Sequence, residues 1–432
     1  MSLALKVLCI SPRFAPTNEA DTHRLRLLLP HAIEAGWVPT IIAVDADCLD
    51  VKQDEHLLSG LPADLPVYRV KIAPHFMGLK SVFIRSWFAI DRQVRDLLSH
   101  EKFDVVFFST NEFPLTWLAI AWKRDFGVPF CMDYQDPWVN DYYALSPHVT
   151  PPGGRFKYYL ISRLHQFLEA RVVPEAAGIM AVSEAYIDSL IRRYGPEIQK
   201  KHRLVKQFPA EPDEFKNVRN RVGFSDRKIW RYIGAAGPYM KKSASAFFEA
   251  WSLAGADEPE FLENFYLEIK GTSYAVNGVK SLEPLAKGLT IERNVTETPS
   301  RLPYAEVLEQ LCNSDALIIF GSDDPAYAAS KIYPYLLAGK PLLLIVHESS
   351  PVIELIKQVG GAVVVGFSEN DHDLHERIYR SWFLNRAYKN SIPINKANFE
   401  AFTAKRQAKD VCEWLVDVSR YKKDMFLDKY HT

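Results

Sequence analysis

Hydrophobic and polar positions along the chain repeat one arrangement: a short run apolar on both faces, then a longer segment apolar on one. KVLCIS (6–11) has the character of a strand buried on both sides, as in a parallel sheet. A loop with Pro12 and Pro16 follows, and 22–36 reads as a helix ending at Gly36 that Pro30 is expected to kink or split. TIIAVD (40–45), DVVFFS (104–109), PFCMDY (129–134) and GIMAVS (178–183) are further strands, with helices predicted over 114–127 and 184–195. A polar, proline-bearing stretch over 206–227 reads as a linker. A second series then begins. A strand running into a glycine-rich turn is predicted over 228–237 and further strands at 265–271, 316–322, 340–347 and 361–367, with helices at 242–255, 304–315 and 330–339 and an amphipathic helical tail from Asn398. The pattern predicts two doubly wound α/β domains: 1–205, 206–400, and a helical tail 401–432 packing back toward the first.

Composition narrows the function. A chain of 432 residues exceeds one ordinary core, and 48% apolar with 24% charged residues is globular usage that excludes extended disorder. The formal net charge of −1 provides no field to recruit nucleic acid, which is excluded as a partner. The five cysteines, Cys9, Cys48, Cys131, Cys312 and Cys412, are odd in number and form no CxxC pair. They point to neither a disulfide frame nor a zinc site but to a reducing, cytoplasmic setting. The first apolar run ends at Arg13 without a basic leader, so it is read as a strand, not a signal peptide. No stretch reaches the roughly 18–20 apolar residues of a membrane span.

In open parallel sheets ligands bind beyond the carboxyl ends of the strands, so two such edges facing each other make a cleft. The turn IGAAGPYMKKS (233–243) places Gly234 and Gly237 after a strand, with Lys241 and Lys242 at a helix start; a diphosphate suits it, and an ordinary turn with solvated lysines is the alternative. Ser330 is expected to cap the helix 331–338, with Lys331 beside its free amides as a second anion site. MDYQDPWVND (132–141) gathers Asp133, Asp136 and Asp141 near Trp138, an arrangement that holds sugar hydroxyls and offers Asp136 as a base; a capped turn before Pro137 is the alternative. Metal binding there lacks a histidine or second acidic cluster at ligand spacing. Asn111 and Glu112 stand on the loop 109–114, and Glu112 with Asp136 would share acid–base work; a loop glutamate in solvent is the alternative. His23, early in the first helix, and His347 are weaker candidates. The segments 155–173 and 75–88 mix basic and aromatic residues and suit either a peripheral contact with the inner membrane or packing on a sheet.

Five of these segments, in order, resemble the family 4 glycosyltransferases: KVLCISPRFAPTNEADTHRL, MDYQDPW, GIMAVSEAYIDSLIRRYG, RYIGAAGPYMKK and SKIYPYLLAGKPLLLIV. The resemblance implies the glycosyltransferase B architecture, two Rossmann-like domains facing across a cleft. It also implies transfer of a sugar from a nucleotide donor, a UDP-sugar, to a saccharide or lipid-linked acceptor, in polysaccharide or cell-surface glycan synthesis, with no metal and no other cofactor. In such a protein the residues read above place Asp136, Glu112 and His23 in catalysis, and Asn18, Asn111 and Trp138 at the acceptor. Gly234, Gly237, Lys241, Lys242, Ser330 and Lys331 fall to the donor phosphates. The chain departs from the family at Asn18-Glu19-Ala20, where two glycines are usual, and at Gln135, where an arginine is usual. The two glutamates of the last motif fall on Ala326 and Pro334, with Asp323 or Asp324 as stand-ins for the first. These departures keep open a non-catalytic protein of the same fold that binds a sugar or a partner. A nucleotide-sugar epimerase is a third reading.

Overall fold

The computed structural model describes residues 4–73, 81–139, 151, 154–216, 218, 227–275, 278–325 and 329–427, with side chains as far as 420. The chain divides into two compact units, Met1–Pro209 with Ala404–Thr432, and Ala210–Thr403.

The first unit runs β1 (Leu5–Ile10), α1 (Ala20–Glu34), β2 (Trp37–Val44), β3 (Val67–Val70), α2 (Val82–His100), β4 (Val105–Ser109), α3 (Leu118–Phe126), β5 (Phe130–Tyr134), α4 (Arg155–Glu175), β6 (Gly178–Ala181), α5 (Glu184–Tyr194) and β7 (His202–Val205). Its sheet has the order β3-β2-β1-β4-β5-β6-β7, with all paired strands parallel. The chain's direction of travel across the sheet reverses between β1 and β4, so the loops after these strands diverge and leave a crevice. β4 and β5 are buried throughout, which explains their unbroken apolar runs.

The second unit runs β8 (Lys228–Ile233), α6 (Lys241–Asp257), β9 (Phe265–Lys270), β10 (Val295–Thr298), α7 (Tyr304–Cys312), β11 (Ala316–Phe320), α8 (Ile332–Leu337), β12 (Leu342–His347), α9 (Pro351–Val359) and β13 (Val363–Phe367). Its parallel sheet is ordered β10-β9-β8-β11-β12-β13, with the corresponding reversal between β8 and β11. Fully buried Trp230 centres the core, with Phe247, Trp251, Phe265, Trp382, Phe383 and Tyr388 ringed about it at 5.0–6.2 Å. The last helix, α10 (Ala404–Leu427), packs on α1 and so belongs to the first unit.

Three strands escape the sequence reading, β3, β7 and β10, and all three are sheet edges. Edge strands are half solvated, so VYRV, HRLV and VTET carry mixed patterns. Pro30 lies within α1, which continues as one helix to Glu34. Among the described residues no helix is long and apolar enough to cross a membrane.

Candidate functional sites

At the carboxyl edge of the first sheet, charged groups from three loops converge. Arg13, after β1, donates through Nη2 to Glu112 Oε1 at 2.7 Å and through Nε at 3.1 Å, and it also pairs with Glu19. Burial works against the Arg13 charge, but Glu112, Glu19 and Asp21 outweigh it and hold the guanidinium firmly protonated. Glu112 Oε2 accepts the Phe83 N–H at 3.2 Å, so this carboxylate ties the loop after β4 to the start of α2. That corrects its expected acid–base role: both oxygens are engaged in holding the edge together. The acid at this edge that burial perturbs most is Asp21, which has no part in the sequence-based expectations. It is buried in the first turn of α1, accepts from Asn111 N–H and Thr110 Oγ1 at 3.4 Å, and burial pushes it up to about 7 despite Arg13. Nothing in its local sequence signals this, because Arg13, Glu112 and Asn111 meet it only through the sheet.

Asp136 lies on the loop after β5 and reaches solvent, where its Oδ2 accepts from the Asn111 side-chain amide at 2.9 Å. Crowding around it pushes its carboxyl up to about 6, opposed by the Asn111 bond. The structure therefore brings together two predicted residues, Asn111 and Asp136. His23 sits half-buried early in α1 with Nδ1 3.5 Å from Arg26 Nη2. Trp138 is corrected: its indole is buried, stacked on Phe113 at 5.6 Å and edge-on to His165, so it is a core group and not an exposed plate for a sugar. Asn18 is likewise buried, its N–H donated to Lys52 O at 2.9 Å. Asp141 lies outside the described residues.

Beneath this edge, Arg24 Nε meets Asp133 Oδ2 at 2.7 Å, both fully buried, and donates onward to the carbonyls of Lys206 and Gln207. Burial raises Asp133 to about 6, with Arg24 pulling the other way. Asp133 is thus a structural carboxylate that fixes α1 and the chain leaving β7 to the end of β5.

In the second unit, the turn after β8 is built around Lys331. Gly234 has φ +143°, and a Cβ there would come within 3.2 Å of Lys331 Nζ and Cε. The ammonium lies 4.4 Å from the centre of the Tyr232 ring, bonds the Tyr232 hydroxyl and donates to Ala235 O at 2.9 Å. Among the described residues no carboxylate pairs with it. Desolvation pushes the Lys331 amine down to about 7, and the positive charge of Arg301 pushes the same way, although the side chain is half-buried and keeps some contact with water. Tyr335, one turn into α8, fixes the arrangement by accepting the Ile233 N–H at 2.6 Å and donating to the Ile233 carbonyl at 3.0 Å.

The other predicted phosphate ligands fare differently. Lys242 is corrected: its amine donates to the carbonyls of Ser368 and Glu369, each at 2.6 Å, and so staples α6 to the chain after β13. Lys241 is exposed at the start of α6. Gly237 is extended and packs against Tyr239, whose ring atom lies 2.6 Å from where a Cβ would stand. Ser330 is not a helix cap: α8 begins at Ile332 with no side-chain cap, and the Ile332 N–H is already given to Ala329 O at 3.0 Å. Pro334 fills the third position of α8, where a missing N–H costs nothing. Ala326 lies outside the described residues, whereas Asp323 pairs its N–H with Tyr239 O at 2.9 Å and so stands beside the glycine turn. His347 is buried with its ring edge-on to Phe367. Glu297, unread in the sequence, is a buried carboxylate that accepts from Thr272 Oγ1 and from the N–H groups of Ser281, Leu282 and Glu283, fixing the loop after β9. Burial opposes its charge, but these bonds outweigh it and hold the carboxyl below its ordinary range.

Comparison with known proteins gives this arrangement a setting. Residues 21–202 match the model of the glycosyl transferase 4-like domain. No curated protein matches the sequence. Similar solved structures include Anabaena HepE in complex with UDP-glucose (12% identity, 98% of this chain and 100% of that one, TM-score 0.57). Another is the sucrose-phosphate synthase of Thermosynechococcus elongatus (11% identity, 99% of each chain, TM-score 0.60). The UDP-GlcNAc 2-epimerase of Neisseria meningitidis, bound to UDP-GlcNAc, has the same fold (15% identity, 96% and 100%, TM-score 0.52). Residues 21–202 are thus similar to the glycosyl transferase 4-like domain, and the chain's two parallel sheets have the glycosyltransferase B fold of these structures.

Proposed function

We propose that this protein is a glycosyltransferase that moves a sugar from a nucleotide-sugar, a UDP-sugar, to a saccharide or lipid-linked acceptor in glycan biosynthesis. The observation that carries the reading is Gly234 closed over the half-charged ammonium of Lys331, with no carboxylate partner among the described residues. A half-buried amine held by neutral oxygens beside a glycine turn has no carboxylate partner among the described residues, and a diphosphate supplies the counter-charge. The first unit takes the acceptor and the second the nucleotide. An acceptor hydroxyl forms the new bond to the sugar C1, the C1–phosphate oxygen bond breaks, and the hydroxyl proton passes to Asp136. UDP leaves with its charge on Lys331 and Arg301, so neutralisation falls to side chains and not to a metal. HepE and the epimerase are both described with UDP-linked sugars, which supports uridine as the base. A peripheral contact with the cytoplasmic face of a membrane belongs to the same proposal.

Asp136 acts in its ionised form, so transfer rises with pH through about 6 and is lost below it. Asp136→Asn, assayed by UDP release from UDP-glucose with a membrane and saccharide extract as acceptor, lowers turnover at least about tenfold while leaving UDP affinity within about twofold. Unchanged turnover would remove Asp136 from the reaction.

A further inference from the structure

An acid in the first turn of a helix ordinarily faces water and answers the helix dipole, and Asp21 of α1 departs from that rule. It is only 3% exposed and is bonded to the loop that leaves β4. Its Oδ2 accepts twice from that loop, from the Asn111 N–H and from the Thr110 hydroxyl, each at 3.4 Å. Thr110 Oγ1 in turn accepts the Glu112 N–H at 3.0 Å, so one buried carboxylate ties down three consecutive residues. The loop is also held from elsewhere: Arg13 and the Phe83 N–H both end on the Glu112 carboxylate.

What this loop offers to the site is the Asn111 side chain. Its amide donates to Asp136 Oδ2 at 2.9 Å, and among the described residues this is the one hydrogen bond that the Asp136 carboxylate makes. The orientation of Asp136 therefore depends on Asn111, and the place of Asn111 depends on Asp21. Removing the Asp21 carboxylate leaves the Asn111 N–H and the buried Thr110 hydroxyl without their acceptor, and the loop must shift to find another. We infer that Asp21 is a positioning residue: it fixes the loop that carries Asn111, and through Asn111 it aims the Asp136 carboxylate at the acceptor hydroxyl. Its effect on turnover rests on the transfer reading above; the relay itself rests on the geometry of the first unit alone.

The charge of Asp21 makes the relay respond to pH. The charged groups that face it are Arg13 and Glu19, on the chain after β1, and Glu112, on the loop after β4. Arg13 directs its hydrogen bonds at Glu112 and Glu19 and reaches Asp21 only through its field. Burial raises the Asp21 carboxyl, Arg13 and the Asn111 N–H oppose the rise, and the two glutamates add to it, which leaves it at about 7. Above that pH the acceptor of both loop bonds is ionised, and hydrogen bonds to an ionised acceptor are roughly twice as strong as neutral ones. Asp136 ionises first, through about 6, and Asp21 then tightens its hold on the loop.

The test uses the 432-residue chain and an Asp21→Asn variant, which keeps the shape of the side chain and imitates its protonated form. UDP release from UDP-glucose, with the membrane and saccharide extract as acceptor, is followed from about pH 5.5 to about pH 8.5. Native turnover rises in two stages, through about 6 and again through about 7. Asp21→Asn keeps the first stage and loses the second. It matches the native protein at about pH 6 and falls roughly fivefold below it at about pH 8.5, with UDP affinity within about twofold at both. In an Asn111→Ala background the same substitution changes turnover by less than about twofold, because the relay is already cut. Equal turnover at every pH, an equal drop at every pH, or the full drop in the Asn111→Ala background overturns the inference.

A second measurement reads the relay without the reaction. Carboxyl NMR of aspartate-labelled protein follows the titration of Asp136, whose signal is assigned by its loss in Asp136→Asn. The Asn111 bond holds that titration down, so Asn111→Ala raises it, and Asp21→Ala, which removes the acceptor outright, raises it as well. An Asp136 titration that Asp21→Ala leaves in place overturns the relay. A native protein that binds UDP and shows the relay but transfers no sugar ends the transfer reading and leaves the relay standing.

Discussion

Removing the charge of Lys331 tests the donor site where its physics is most distinctive. With its amine pushed down to about 7, Lys331 is half charged at neutral pH in the free protein. A bound diphosphate favours the charged form, so binding draws a proton onto Lys331. The sign follows: affinity holds below pH 7 and falls as pH rises above it, because the lysine must be recharged at increasing cost. For a group titrating at about 7 the charged fraction drops from one half at pH 7 to about one part in a hundred at pH 9, roughly fifty-fold. Lys331 is only half-buried, and solvent screening reduces this to the order of tenfold. Phosphate ionisation, complete by about pH 7, adds little over that range. Calorimetric titration with UDP from pH 7 to 9, in buffers of different ionisation enthalpy, measures both affinity and proton uptake. Lys331→Met keeps the aliphatic stem but removes the charge. It should weaken UDP binding by about 1.5–3 kcal/mol at pH 6.5, abolish the proton uptake and flatten the pH dependence. Native affinity constant within twofold from pH 7 to 9, or a Lys331→Met variant that binds as tightly as the native protein, refutes the reasoning.

Two further outcomes separate structural charges from functional ones. Arg24→Met leaves Asp133 buried without its partner and should destabilise the first unit by about 3–5 kcal/mol in chemical denaturation; a loss under about 1 kcal/mol would show the pair to be dispensable. Lys242→Ala should lower the melting temperature, because it frees the Ser368 and Glu369 carbonyls, yet leave UDP affinity within twofold; a tenfold loss of affinity with unchanged melting would return Lys242 to the phosphate site.

How far the sequence reveals this protein depends on where each residue's partners lie. Strands buried on both faces, such as VVFFS and ALIIF, announce themselves by composition, and helices ending in glycine show their stops. Edge strands such as HRLV hide, because half their surface is wet. Lys331 and Gly234 are legible as members of two motifs, but their contact is not, since they stand almost a hundred residues apart and meet across β8 and α8. Lys241 and Lys242 are the more obvious lysines in the chain, and the fold uses one of them as a staple. Asp21 and Glu297 have ordinary local surroundings; their character arises from Arg13, Asn111 and the Ser281–Glu283 amides, which only the tertiary structure delivers. Trp138 misleads for a related reason: an aromatic beside carboxylates reads as a sugar plate until Phe113 is seen stacked upon it.

The most direct measurement of the central claim is a calorimetric titration of the folded 432-residue chain with UDP, GDP and ADP, each alone and as its sugar conjugate. The account predicts saturable binding of UDP and a UDP-sugar, with GDP and ADP weaker, showing that a donor site persists with Pro334 in the place of a ribose-binding glutamate. Binding of none of them by a demonstrably folded sample would contradict it, and would make this a glycosyltransferase-like fold that serves as a binding protein.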